Sequence, residues 1–280
     1  MPMHSTSAGF SWHHLNQWHL AVLPNILLLV ALALYVLGVR RVPGWSPART
    51  IPFVAGLGVT FLATQSVLGV YDMAYFSAHM VQHLLLIMVA APLLALGAPL
   101  DLWYEAAGAR TRHLLDGRVA TTLTQPLVGF AVYVVVIPVT HLSGMANLMM
   151  QHEWVHHAEQ VVFVFTGYLF FRAAFGLERG RTLHPGLRLI FVMIAVPVDT
   201  FTGLALVMTS ALPFPAYAAM APAGSTPEWL LANVHLGGAI MWIGGDALML
   251  LACIPITAAW VRFETRRTRV LDAELDALGL

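Results

Sequence analysis

The stretch "HMVQHLLLIMVAAPLLALGAP", His79 to Pro99, decides how the whole chain is read. Beyond His83 it carries no polar side chain, and a run of about 20 apolar residues is the length that crosses a bilayer as a helix. Yet it opens with two imidazoles four residues apart, which a helix places on one face, a turn from each other. A hydrophobic span with two potential metal ligands at its mouth is the feature to be explained.

The rest of the 280 residues follow the same pattern. The chain is 59% hydrophobic and 10% charged, whereas a soluble domain carries roughly 25% charged residues. Seven segments are apolar enough to span, at about 20–39, 51–71, 78–99, 126–142, 156–173, 187–210 and 233–257. Turn formers and nearly all the charge lie between them. In lipid a helix satisfies its own backbone hydrogen bonds, so the expected fold is all-α: one transmembrane domain, a bundle of seven helices. A net charge of zero offers no basic face for nucleic acid, and the lone Cys253 excludes an internal disulfide or a CxxC pair. The N-terminus lacks a basic segment, so it does not read as a signal peptide.

The basic residues orient the bundle. All fourteen are arginines: Arg40, Arg41 and Arg49; Arg110, Arg112 and Arg118; Arg172, Arg179, Arg181 and Arg188; and Arg262, Arg266, Arg267 and Arg269. They fall in or beside alternate loops, which by the positive-inside rule puts the N-terminus outside and the C-terminus in the cytoplasm. On that topology His4, His13, His14, His19, His79, His83, His141, His152, His156, His157 and His235 gather on the outer side, and only His113 and His184 lie inside.

His152 and His156 repeat the spacing of His79 and His83. If the fifth helix begins early, Met145, Met149, His152, His156 and Glu159 form one stripe. Met80 can turn toward His83. Imidazole suits copper, zinc, iron and nickel, and thioether sulfur selects Cu(I). The candidate metal ligands are therefore His79, His83, His152, His156, Met80 and Met149, with Cu(I) the favoured ion and zinc the alternative. Bis-His haem competes for the same histidines. Asp199 and Asp246 lie within spans, where a charged group costs a few kcal/mol and normally faces the bundle interior. With Asp72 and His235 they are candidates for a polar path from the outer mouth; each acid can equally be a neutral group bonded across helices. Pro92 and Pro197 are expected to kink their helices, and Gly237, Gly238, Gly244 and Gly245 to permit close packing. No GxSxG elbow, Walker loop or dinucleotide fingerprint occurs, so no enzyme chemistry is indicated. The tail from Arg262 reads as a surface anchor with a short helix.

The opening stretch resembles the signature of the CtaG family, bacterial membrane proteins linked to assembly of haem–copper cytochrome c oxidases. "HEWVHHAEQVVFVFTGYLFF", "PVDTFTGLAL" and "GGAIMWIGGD" fit in order, over roughly residues 20–257. The resemblance implies seven spans in the bacterial inner membrane and a part in supplying copper to the oxidase. It carries the family's histidine pairs to His79, His83, His152 and His156, and its intramembrane acids to Asp199 and Asp246. Where many relatives have Asp-Gln, this chain has Asn233 and Val234, and His235 stands as a substitute polar group. The expected protein is a non-catalytic copper chaperone whose partners are an oxidase subunit, the lipid bilayer and other copper chaperones. A copper or proton transporter, or a membrane haem protein, is the alternative.

Overall fold

The structure is a computed structural model that describes residues 17–18, 20–177 and 183–279. His4, His13, His14, His19, Arg179 and Arg181 lie outside the described residues. Helices are the regular structure among those described, with no strand.

Two outer helices come first: α1 (Val22–Arg41) and α2 (Pro47–Gln65), the second opened by Ser46, whose hydroxyl accepts from the Ala48 N–H. Ser66 then breaks the expected second span. Its backbone is extended and its hydroxyl accepts from the Leu68 N–H, starting the short α3 (Val67–Tyr71). The third span is α4 (Phe76–Leu84), a π-helical turn (Leu85–Ala90) and α5 (Ala91–Leu96). The distortion expected at Pro92 is thus taken up in the turn just before it. Three short helices follow, α6 (Pro99–Ala106), α7 (Ala109–Leu115) and α8 (Arg118–Leu123), and lead into α9 (Pro126–Leu142).

After α9 the chain bends by 66° into α10 (Met145–Gln151) and restarts as α11 (Glu153–Ala174). Next come α12 (Pro185–Val207), the short α13 (Pro215–Met220) and α14 (Pro227–Ala239), the last continuing through a second π-helical turn (Ile240–Gly244) into α15 (Gly245–Leu278). Pro197 lies inside α12, which runs on past it. The tail is not a separate short helix. Nothing after Pro255 breaks the helix, and α15 carries straight on through the arginines to Leu278.

Among the described residues, five helices can cross a membrane by length and composition, or six if α9 and α10 form one bent span. The segment α11 falls short of that apolarity because its first two turns carry Glu153, His156, His157, Glu159 and Gln160. It is nonetheless the centre of the bundle, with thirteen of its 22 residues buried. Gly167 makes that possible: a Cβ there would come within 2.5 Å of the Ile87 carbonyl oxygen, so the backbones of α11 and the first π turn meet directly. Gly203 of α12 and Gly238 of α14 do the same for each other, each facing the other's carbonyl oxygen at 2.7 Å from where a Cβ would stand. Around this interior, Leu23, Ile26, Val54, Val135, Ile194, Phe201, Leu251 and Ile254 are exposed, the surface expected of a protein whose solvent is lipid.

Candidate metal centre

The start of α4 is held by residues far away in sequence. The Asn233 side-chain oxygen accepts from the Ser77 N–H at 3.1 Å and from the Tyr217 hydroxyl at 2.8 Å, and its amide donates to the Ser77 hydroxyl at 3.0 Å. The Tyr217 oxygen in turn accepts from the Phe76 N–H at 3.4 Å. Two N–H groups that a helix start leaves open are thereby satisfied. Burial pushes the Tyr217 hydroxyl up to about 12, so it remains a donor. The position where the family resemblance flagged a departure thus fixes the helix that carries His79 and His83.

On that helix both imidazoles turn inward toward α11. His79 Nε2 lies 3.8 Å and His83 Nε2 3.6 Å from Glu159 Oε2. One ligand atom from each of the three residues falls within 4.8 Å of the others, and all three side chains are buried. Donors on a tetrahedral ion bound at about 2.0–2.1 Å stand roughly 3.3–3.4 Å apart, so the two histidine–glutamate distances are a few tenths of an ångström longer than in a closed metal site.

The hydrogen bonds behind the group set which nitrogens are bare. His141, at the end of α9, has Nδ1 2.8 Å from the Ile137 carbonyl oxygen, which can only accept. With neutral rings, His141 Nδ1 therefore carries the proton and its Nε2 accepts. That Nε2 is 3.2 Å from His83 Nδ1, which must donate to it. His83 Nε2 is left with a lone pair directed at Glu159. Three buried atoms in the group have no hydrogen-bond partner: His79 Nδ1, His83 Nε2 and Glu159 Oε2. Buried polar atoms are nearly always paired; two of these, His83 Nε2 and Glu159 Oε2, face each other at 3.6 Å, an arrangement that could hold a cation. His83 and His141 also touch each other across the helices, with ring centroids 5.3 Å apart, which leaves no slot for a porphyrin between them.

A second polar set braces the first. Gln82 donates to Asp72 Oδ2 at 2.6 Å and to the Ala63 carbonyl at 3.0 Å. His156 Nε2 is 3.3 Å from Gln82 Oε1 and 3.4 Å from Asp72 Oδ2, and Gln160 donates to Gln82 Oε1 at 3.4 Å. His156 thus sits beside the group, its ring 5.4 Å from that of His79, with Nε2 committed to Asp72 and Gln82.

The other residues marked out in the sequence lie elsewhere. His152 is exposed in the extended link between α10 and α11, so the stripe from Met145 to Glu159 is broken there. Met149 is buried in the main apolar core, and Met80 is buried on α4. His235 Nε2 faces the Thr209 carbonyl at 2.9 Å. Asp199 accepts from the Tyr133 hydroxyl at 2.5 Å, and Asp246 from Thr200 at 3.0 Å. Glu159 and His141 fall outside the candidate ligand set of the sequence; the place of Glu159 three residues after His156 on the stripe is the signal for the first. Gln82 and Gln160 gave none.

Residues 33–263 match the family described as cytochrome c oxidase caa3 assembly factor. The chain is similar to uncharacterized proteins of Mycobacterium bovis and Mycobacterium tuberculosis, 28% identical over 255 residues, covering 85% of this chain and 38% of each relative. A third, from Mycobacterium leprae, is 27% identical over 264 residues, covering 85% of this chain and 39% of that protein. The chain thus spans under two-fifths of the length of the curated relatives it matches. No solved structure matches it.

Proposed function

The chain belongs to the cytochrome c oxidase caa3 assembly factor family, and from that premise we propose that it binds copper at His79, His83 and Glu159 and passes it to a haem–copper oxidase subunit. One observation supports this: buried donors of His79, His83 and Glu159 converge within 4.8 Å, and the facing atoms His83 Nε2 and Glu159 Oε2 have no hydrogen-bond partner. Transfer needs only ligand exchange, so the role is that of a non-catalytic chaperone. Bacterial inner-membrane location with seven spans is part of the same proposal, α11 being the seventh, its buried polar residues turned away from lipid. The arginines favour an outer N-terminus and a cytoplasmic C-terminus, which sets the group at the outer face. On α11 itself Glu159 and Arg172 stand thirteen residues apart, about 20 Å along a helix.

Access is provided beside the bend after α9. A cleft of about 380 Å³ lined by His141, Ser143, Gly144, Thr209, Pro213 and Phe214 reaches the ring that holds His83. Zinc is the second reading, favoured by a convergent donor set of two imidazoles and a carboxylate without sulfur. Metal analysis of the purified protein decides between the two. Replacing His79 and His83 together with Ala should abolish stoichiometric copper and impair oxidase maturation. Unchanged copper with normal maturation in that variant would overturn the proposal.

A further inference from the structure

Behind His83 lies a second, smaller chamber that the His79–His83–Glu159 group does not use. Its volume is about 20 Å³, room for one water-sized occupant. Its chemically distinctive lining is Met80, His83, Met88, His141, Asp199 and Met241; the remainder is apolar. The three methionines are all buried. Methionine usually fills gaps in a core, and one buried methionine would need no other account.

Two further facts set this chamber apart. Met88 belongs to the π-helical turn Leu85–Ala90 and Met241 to the π-helical turn Ile240–Gly244. Such turns are rare, cost regular hydrogen bonding and concentrate at functional sites; the two among the described residues each contribute a methionine to this lining. The chamber is also walled by His83, so it lies directly against the outer group.

We propose that this chamber is a second metal site, selective for a soft monovalent cation, Cu(I) or Ag(I), with Met80, Met88 and Met241 as sulfur donors. Thioether sulfur discriminates against zinc and other harder divalent ions, so the two sites sort ions by chemistry: nitrogen and oxygen outside, sulfur within. The inference rests on the copper reading above for the identity of the natural ion. The capacity for silver does not depend on it.

The test uses the full chain in detergent, titrated with Ag(I), with X-ray absorption at the silver edge. One silver ion per chain with sulfur neighbours is expected. The pair Met88→Leu and Met241→Leu, which nearly conserves volume, should weaken silver binding at least about tenfold by removing two soft donors, while zinc binding is retained. Glu159→Gln should do the reverse, losing zinc and keeping silver, so failure of the outer site and failure of the chamber are distinguishable. Silver bound through nitrogen and oxygen alone, or with unchanged affinity in the double Leu variant, would overturn the proposal. If that variant does not fold, selenomethionine-labelled wild-type protein serves in its place: silver–selenium scattering supports the chamber, and its absence overturns it.

Discussion

Two buried polar regions of this bundle resemble each other in the sequence and differ in the structure. In one, Tyr133 donates to Asp199 and Thr200 to Asp246, and every hydrogen-bonding demand seen there is met from within the chain. In the other, His79, His83 and Glu159 are brought together and three of their atoms are left unmatched. Both are costly to bury. The first resolves that cost by pairing, so it behaves as a strut between helices. The second keeps it open, as a site must if a ligand is to supply the missing partner.

Four substitutions probe this contrast. The largest effect belongs to Glu159→Gln, which should weaken binding of a divalent ion more than about 100-fold, beyond the loss typical of outer partners. In metal-free protein it should melt no lower than the parent, because a neutral amide is cheaper to bury than an uncompensated carboxylate. Competition with a chelator and a thermal melt in detergent read the two effects, and near-parental affinity would erase the distinction between the regions. Next, His141→Phe removes the acceptor that fixes the proton of His83 on Nδ1. A 10–100-fold loss of metal affinity is expected, roughly the scale for an orienting partner; no loss would mean that His83 needs no such support.

Tyr133→Phe acts on the other region. It strands Asp199 and should cost about 1–3 kcal/mol of stability, seen as a lower melting midpoint, with metal affinity unchanged. A fall in affinity instead would join the two regions into one polar path. The smallest effect is that of His152→Ala, an exposed residue outside the group, which should leave metal binding unaltered by equilibrium dialysis.

Much of the fold is legible in the apolar runs, because lipid leaves a spanning segment little choice of structure. The breaks are legible only in part. Ser66 is a plausible cap by type, but nothing in "MMQHEW" announces that His152 would be extended and turn its ring out of the stripe. Spacing places His79 and His83 on one face because both lie within one regular helix. It does not hold for His152 and His156 because the i,i+4 rule assumes a continuous helix, and the contact of His141 across α4 and α9 leaves no local pattern. The sequence reads α11 as one span among seven; its central place follows from contacts across the bundle that bury its polar opening, Glu159 and Gln160 included, and these leave no local pattern.

The Asn233 cap on α4 has a consequence for how the protein is made. Its bond to Ser77 links positions 156 residues apart, so the ribosome finishes α4 long before its anchor exists. Until α14 enters the membrane, the helix bearing His79 and His83 starts with open N–H groups and an unanchored end. A chain truncated or stalled before Asn233 would carry every residue of the His79–His83–Glu159 group without the clamp that sets its spacing. Synthesis past Asn233 is thereby a precondition for the spacing of that group.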